Sequence, residues 1–576
     1  MNKEWKIFSP TKEQENLINK ISEKYKISKI LSTIMVAREI GIKDGKVIDE
    51  DIEIFLKPTR YSFHDPFEMP DMEIAVDRII KAIENKESIC IYGDYDVDGI
   101  TSITVLKRFL LDRGAIVTEY IPNRLKEGYG LNIDAIEKIA KDKTNLIITV
   151  DTGITGEKEI KRAVELGMEV IVTDHHEEGD EFPSSALAVI DCKRKDNKYC
   201  FRELAGVGVA FKLTQAISMK MKIKDNEYLK RLDIVAIGTI ADIVPLKDEN
   251  RVITKLGLLL LNQTKNPGLK ALIQLNNLTN IDSTQVGFII GPRINACGRM
   301  GYEKEALKLL LTDDIEEAKE TVIRLNEYNQ KRQDYEKSIF EEAEKEYQEE
   351  LKEKKKVPMI ILEGEDWHHG IIGIVASKMT EKYFKPSILL CKEKDEELEK
   401  GSGRSIPGFD LHEALINNQK GIEKFGGHSM AVGLTLKKDQ FEKFKKNIFE
   451  YSQKKGIYDI INYIFVDEKI DIKDVTIETA KELKILEPYG EQNLLPLFEI
   501  KDLKISSIRT LTEGKHLKLS LSKDNKIIDA IGFGLGEYEK DFVIGDKINI
   551  IGNLSINEFN GNQKIQIILK DIKKVW

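Results

Sequence analysis

A short apolar run, Ile89-Cys90-Ile91, leads into three acids on alternate residues, Asp94, Asp96 and Asp98, closed by Gly99. The run predicts a buried strand over 89–92, and the acids with their glycine predict the turn that leaves it. Carboxylates this close repel one another. They must be protonated, kept in water, or separated by divalent cations. The same spacing opens an EF-hand loop, but that loop needs a glutamate at its twelfth position, which here is Val105, and a helix rather than a strand before it.

The acids do not stand alone. From Met72 to about Asp313, apolar strand patterns at 89–92, 146–150, 170–173 and 188–190 alternate with helical patterns at 101–113, 133–141 and 157–166. Such alternation predicts an α/β fold with a parallel, helix-flanked sheet. Asp151 follows the second strand, and Asp174-His175-His176 follows the third. In open α/β sheets, ligands bind beyond the carboxyl ends of the strands, so these side chains are expected to converge. Asp242 ends an apolar helix pattern just before Pro245 and offers a further carboxylate.

At 576 residues the chain has room for three or four domains. The pattern divides it into a helical extension over 1–71 expected to pack on the catalytic domain, that domain over 72–313, and a charged connecting helix over 314–356. A smaller α/β unit over 357–455 and a β-barrel over 456–576 follow. In the barrel region, alternating runs such as Leu517–Leu521 and Ile548–Ile550 and an Asn560-Gly561 turn suggest five strands of the OB type. The net charge of −9 argues against capture of nucleic acid by the whole surface, so any such site is local. Five cysteines without a C-x-x-C pair suggest buried thiols, neither a disulfide framework nor a zinc ribbon. With no apolar leader and no stretch long enough to span a bilayer, the expectation is a cytoplasmic protein with no membrane partner.

Gly93-Asp94-Tyr95-Asp96-Val97-Asp98-Gly99, Val150-Asp151-Thr152-Gly153 and Asp174-His175-His176 together resemble the signature of the DHH phosphoesterase superfamily. Leu204–Lys212, Gly291–Arg299, Gly401-Ser402-Gly403-Arg404-Ser405 and Leu486-Glu487-Pro488-Tyr489-Gly490 narrow the resemblance to the RecJ family of single-strand-specific 5′→3′ exonucleases. It covers nearly the whole chain. One departure is the small residue Cys297, where the family often has alanine. The resemblance implies a DHH catalytic domain, a DHHA1 domain and an OB-type barrel. It further implies single-stranded DNA as substrate, in repair or recombination, and admits a helicase and a single-strand-binding protein as partners.

By the same resemblance, Asp94, Asp96, Asp98, Asp151, His175 and Asp242 hold two Mn²⁺ or Mg²⁺ ions, with Asp151 between them. Asp96 and Asp98 are favoured as direct ligands, and Asp94 is a ligand or a support. Phosphodiester hydrolysis needs a nucleophile available at neutral pH and positive charge on the non-bridging oxygens, and a mixed Asp/His set suits these cations. His176, oriented by Asp174, is the candidate for protonating the leaving oxygen or stabilising the transition state. Arg124, Arg299, Ser402 and Arg404, with His428, are the implied contacts to the 5′-phosphate and strand. Arginine's planar fork matches phosphate oxygens, and Gly401 and Gly403 are read as letting the backbone approach an anion. His368 and His369 read as cleft-lining or hydrogen-bonded structural residues. On the barrel, Lys515, His516, Lys518 and Phe559 are candidates that read more simply as solvated surface. The competing readings are a DHH phosphoesterase for oligoribonucleotides, pAp or cyclic dinucleotides, and a non-catalytic strand-binding scaffold. The scaffold would show lost ligands, and none is lost.

Overall fold

The computed structural model describes residues 3–124, 127–224, 226–354, 356–392, 397–559 and 561–575. Asn560 of the expected hairpin turn and the side chain of Phe559 lie outside the described residues.

Five parallel strands form the first sheet, in the spatial order Ile116–Tyr120, Ser88–Gly93, Leu146–Val150, Glu169–Asp174, Ala188–Asp191. The inner strands are buried on both faces, which is why they read as continuous apolar runs. Ile116–Tyr120 escaped the sequence reading because it is the half-exposed edge, with Glu119 facing water. Helices Met72–Glu84, Val97–Leu111 and Gly206–Lys220 cover one face, where Ile79, Ile100 and Phe211 belong to one buried cluster. Ile133–Lys141 and Glu157–Glu165 cover the other.

A 40-residue helix, Ile315–Lys354, leaves this domain with Ala318, Val322 and Leu325 buried along one stripe and its charges outward. It leads to a mixed sheet in the order Ile422–His428, Ala431–Lys437, Leu398–Arg404, Ser387–Lys392, Ile360–Glu365, of which only the last two strands pair in parallel. In the C-terminal region Phe498–Leu511, His516–Lys523, Lys526–Gly532, Asn562–Lys574 and Lys547–Phe559 pair in that order, and the last closes back on the first. Closure removes the open edges and makes the OB-type barrel.

The N-terminal extension shares a core with the barrel as well as touching the catalytic domain. Ile18, Ile21, Leu31, Ile34, Met35 and Ile52 share a core with Phe498, Leu519 and Ile550 of the barrel. Glu4–Ile7 also pairs in parallel with Tyr463–Val466. Amphipathic helices record that one face must be buried, not against what. Helix Asp49–Leu56 and the stretch after it also touch the catalytic domain, where the Phe55 carbonyl accepts from Arg251 and the backbone oxygen of His64 accepts from the buried Lys212 Nζ at 2.6 Å.

Arg251 locks these pieces together. Its guanidinium, pushed down to about 9 by burial, donates to the carbonyls of Leu486 at 2.8 Å and Ile485 at 2.9 Å, and reaches that of Phe55 at 3.3 Å. The Leu486–Gly490 motif is therefore an interdomain anchor, reinforced by Ser283 Oγ donating to the Tyr489 carbonyl at 2.5 Å. Among the described residues no helix is long and apolar enough to cross a membrane.

Candidate active site

Strand Ser88–Gly93 has neighbours on both sides that come later in the chain, Ile116–Tyr120 and Leu146–Val150, so the connections diverge and open a crevice at its carboxyl end. The acid loop lies there. Asp96 caps helix Val97–Leu111, its Oδ1 accepting from the backbone N–H of Asp98 at 2.9 Å and of Gly99 at 3.2 Å. A Cβ at Gly99 would stand 2.4 Å from the Asp94 carbonyl oxygen, so only glycine lets the loop fold back this tightly. Asp98 turns away to the start of helix Gly206–Lys220, where its oxygens accept from the N–H of Gly206 at 2.6 Å and Val207 at 2.8 Å. The positive end of that helix favours the charge. Asp151 adopts a left-handed backbone, φ 60°, which swings its carboxylate into the crevice.

His175 is buried, with Nε2 3.2 Å from Asp151 Oδ1, 3.7 Å from Asp242 Oδ2 and 3.8 Å from Asp98 Oδ2. Although buried, that nitrogen makes no hydrogen bond, nor does Asp94 Oδ1. Burial and then the neighbouring His176 push His175 down to about 3, which leaves the neutral imidazole that a metal ligand requires. The acids move the opposite way. Burial and then Asp96 push Asp98 up to about 7, and burial followed by Asp96 raises Asp94 too. Asp151 and Asp242 are raised by burial and then by Asp98. Orphaned donor atoms among mutually repelling carboxylates are the arrangement that divalent cations relieve.

The ligand atoms fall into groups. Those of Asp94, Asp96 and Asp151 lie within 4.8 Å of one another, and so do those of Asp98, His175 and Asp242. A third group, Asp151, His175 and His176, overlaps both. Asp151 joins the first group to the second through His175, whose Nε2 lies 3.2 Å from Asp151 Oδ1. Asp94 belongs to a ligand group on this geometry, while Asp98 is also engaged by the two N–H groups.

Asp174 sits behind the crevice. Its Oδ1 accepts from His176 Nδ1 at 2.7 Å and its Oδ2 from the N–H of Ile154 at 2.9 Å. Burial would raise this carboxyl, but the attraction of His176 and the hydrogen bond to it, with His175 and the Ile154 N–H, bring it down to about 2. Burial alone would lower His176. Asp174 outweighs it and brings the imidazole up to about 9, so His176 is charged at neutral pH. The Tyr129 hydroxyl lies 3.2 Å from His176 Nδ1 and 3.4 Å from Nε2, a neighbour that sequence reading missed because nothing but flanking glycines marks it.

Beside the acids is a cleft of about 290 Å³ that also exposes Arg124 and Arg299. Helix Gly291–Arg299 docks on the acid loop through Asn295, whose Oδ1 accepts from the Val97 N–H at 3.2 Å. Gly298 makes this possible, since a Cβ there would stand 2.6 Å from the Tyr95 carbonyl oxygen. Arg299 reaches across to the second α/β domain and donates to the Gly370 carbonyl at 2.8 Å. Burial, then Arg124 and Arg332, push it down to about 9. Burial and then Arg124 lower Arg404 as well. Arg404 Nη1 donates to Ser402 Oγ at 3.2 Å, and Arg124 lies 5.0 Å from the Tyr95 ring. Guanidiniums that destabilise one another are the arrangement that a bound anion would relieve.

Two expectations change here. Gly401 and Gly403 do not face the anion: a Cβ at Gly401 would meet Leu434 at 2.8 Å, and one at Gly403 would meet Leu411 and Val432 at 2.8 Å. They thin the sheet for the hydrophobic core beneath, because strand residues alternate faces and Ser402 and Arg404 take the other side. His428 is exposed, in register with Ala431 and through it with Arg404, which puts it two strands and about 10 Å from that arginine. His368 caps helix His369–Tyr383, its Nδ1 accepting from the Gly370 N–H at 3.1 Å, and His369 stacks on it. On the barrel, Lys518 lies 3.7 Å from Asp529, and His516 Nδ1 accepts from the Gly534 N–H at 3.1 Å. Lys515 closes the turn before that strand, its N–H donating to the Thr512 carbonyl at 3.1 Å.

Gly206 presses on a candidate ligand, since a Cβ there would stand 2.6 Å from Asp151 Oδ1. Gly206→Ala is expected to displace that carboxylate and cut metal-dependent turnover roughly ten- to hundredfold, as overpacking by one methyl costs about 1–3 kcal/mol. Steady-state rates across a Mn²⁺ titration check it.

Residues 88–239 match the model of the DHH family, N-terminal domain; 356–454 match that of the DHHA1 domain; and 466–571 match that of the RecJ OB domain. The chain is 37% identical over 573 residues to the single-stranded-DNA-specific exonuclease RecJ of Bacillus subtilis (strain 168), covering 98% of this chain and 70% of that one. It is similar to the crystal structure of RecJ from Thermus thermophilus in complex with Mn²⁺, with a TM-score of 0.84 and 27% identity, covering 100% of this chain and 80% of that one. The Mg²⁺ complex of the same protein gives a TM-score of 0.78 at 26% identity, covering 100% and 79%.

Proposed function

The chain belongs to the RecJ family of single-stranded-DNA-specific exonucleases, and we propose that it removes nucleotides from the 5′ end of single-stranded DNA using two Mn²⁺ or Mg²⁺ ions. Asp94, Asp96 and Asp151 would hold one ion and Asp98, His175 and Asp242 the other, with Asp151 reaching both. The observation that carries this reading is the buried, unbonded His175 Nε2 set among three carboxylates. When bound, the ions lower the pKa of a water and polarise the phosphoryl oxygens.

The chain's own groups do the rest. Arg124, Arg299 and Arg404, with Ser402, grip the terminal 5′-phosphate and so set the distance from the end at which the strand is cut. His176, held charged by Asp174, donates a proton to the departing 3′ oxygen or stabilises charge as it develops there. The barrel holds the incoming strand, and His428 lies on the sheet surface the strand would cross. Such an enzyme consumes what strand separation produces. A helicase and a single-strand-binding protein are the partners this reading admits, in cytoplasmic DNA repair and recombination.

The test is digestion of a long single strand labelled at one end and then the other. Labelled mononucleotide should appear at once from the 5′ label and last from the 3′ label, with Mn²⁺ and not with chelator; release from the 3′ label first contradicts the polarity. Arg404→Ala is expected to lower kcat/KM on a 5′-phosphorylated strand roughly 30-fold, about 2 kcal/mol for a charge-assisted contact. On a 5′-hydroxyl strand the loss should be smaller, and equal losses on both would place Arg404 elsewhere.

A further inference from the structure

A cavity of about 600 Å³, lined by Met300, Tyr302, Lys331, Asp334, Tyr335 and Ser338, has no part in the chemistry above. Lys331, Asp334, Tyr335 and Ser338 fall three or four residues apart on helix Ile315–Lys354 and so share one face. The two tyrosines are half-exposed, yet each is held in place. Tyr302 stacks on Tyr328 with the rings 4.3 Å apart and 6° from parallel, and Tyr335 lies against His368 at 5.7 Å. Asp334 Oδ1 accepts from Gln330 Nε2 at 2.9 Å, which orients the carboxylate. Two links tie this cavity to the arginine cluster. Met300 directly follows Arg299, whose guanidinium donates to the Gly370 carbonyl two residues from His368. Asn123, next to Arg124, donates from Nδ2 to Glu303 Oε1 at 3.2 Å, and Glu303 follows Tyr302. Burial and then Arg124 lower His368, so the charge of that arginine reaches the ring on which Tyr335 leans. Arg124 and Arg299 line the catalytic cleft together with the acids, while their neighbours in chain and space line a second cavity that holds none of those acids.

Tyrosine faces beside a carboxylate and an ammonium suit a nucleobase. The rings stack on it, Asp334 accepts from an exocyclic amino group, and Lys331 donates to a ring acceptor or to phosphate. We propose that this cavity receives a nucleoside joined through pyrophosphate to the 5′ end of the strand, so that the enzyme shortens nucleotide-capped strands as well as phosphorylated ones. The proposal rests on the reading that the arginine cluster holds the 5′-phosphate. Within a pyrophosphate that phosphate keeps a negative charge for the arginines, and the cap continues past them into the second cavity. The bond cut is the same. The oxygen of water adds to the phosphorus of the second nucleotide, the 3′ oxygen of the first takes a proton and leaves, and the first nucleotide departs with its pyrophosphate and cap intact. A ligation that stops after nucleotidyl transfer to the 5′-phosphate supplies such an end.

The experiment compares kcat/KM in Mn²⁺ for three dodecamers that differ only at the 5′ end, which carries a phosphate, a diphosphate, or adenosine joined by pyrophosphate. The adenylated strand should be attacked from its 5′ end, with the adenylated first nucleotide as the first product, and roughly tenfold faster than the diphosphate strand, which has no base to stack. In Tyr335→Ala the ratio of kcat/KM for the adenylated strand to that for the phosphorylated one should fall roughly tenfold, and in Tyr335→Phe it should stay within about twofold of the parent. Tyr302→Ala should move the same ratio in the same direction. An adenylated strand that resists attack overturns the proposal, as does an unchanged ratio in both alanine variants or an equal loss on both substrates, which marks a structural role. Failure of the underlying reading looks different: the unmodified enzyme would then not release nucleotide from the 5′ end of the phosphorylated strand.

Discussion

Asp151→Asn abolishes metal-dependent nucleotide release, by at least roughly 10³-fold or about 4 kcal/mol of transition-state stabilisation, while strand binding stays measurable. Asparagine is the informative replacement because it keeps the shape of aspartate and tolerates the left-handed backbone of this position. What it removes is the charge at the junction of the two ligand groups. The same change should raise the melting temperature in chelator. Burial and the neighbouring Asp98, Asp96 and Asp242 already oppose ionisation at Asp151, so a neutral residue relieves repulsion in the metal-free protein. The rise in melting temperature on adding Mn²⁺ should shrink in parallel, because an ion that binds the folded state stabilises it in proportion to its affinity. Unchanged turnover in this variant would count against the two-cation site.

His176→Gln and Asp174→Asn should each lower kcat by roughly 10²- to 10⁴-fold, the range of a lost proton donor. They should do so non-additively. Asp174 Oδ1 accepts from the His176 imidazole at 2.7 Å and from the N–H of His175 at 2.8 Å and of His176 at 3.3 Å, all of which orient the same imidazole pair, and the double variant is therefore expected to be little slower than His176→Gln alone. His176 has a side chain 43% exposed, so circular dichroism of His176→Gln should match the parent, while its melting temperature should fall because the buried Asp174 loses the cation that holds it ionised. Additive losses would mean that Asp174 has a task of its own, such as holding the Ile154 N–H and with it the turn after Asp151.

Much of this was legible because the chemistry is carried by residues fixed to strand ends. Asp94, Asp151 and His175 each follow an inner strand whose unbroken apolar run marks it, and a parallel sheet brings such ends together. Other features left no mark on the sequence. Gly206 and Gly298 are needed because of what approaches them in space, Asp151 and Tyr95, and a glycine's own neighbours in the chain say nothing of that. Gly401 and Gly403 were misread for the same reason: alternation along a strand gives two faces but does not say which one meets the core. The packing of the N-terminal helices on the barrel was not legible, because an apolar stripe does not name its partner. Asp191 also went unnoticed. It pairs in register with Asp174, and burial followed by that neighbour pushes it up to about 8.

The most direct measurement is anomalous diffraction at the manganese edge from crystals soaked in Mn²⁺. Two peaks are predicted, one among Asp94, Asp96 and Asp151 and the other among Asp98, His175 and Asp242, with an Asp151 oxygen in reach of both. A single peak, or manganese bound anywhere else while these side chains keep their present positions, would contradict the account.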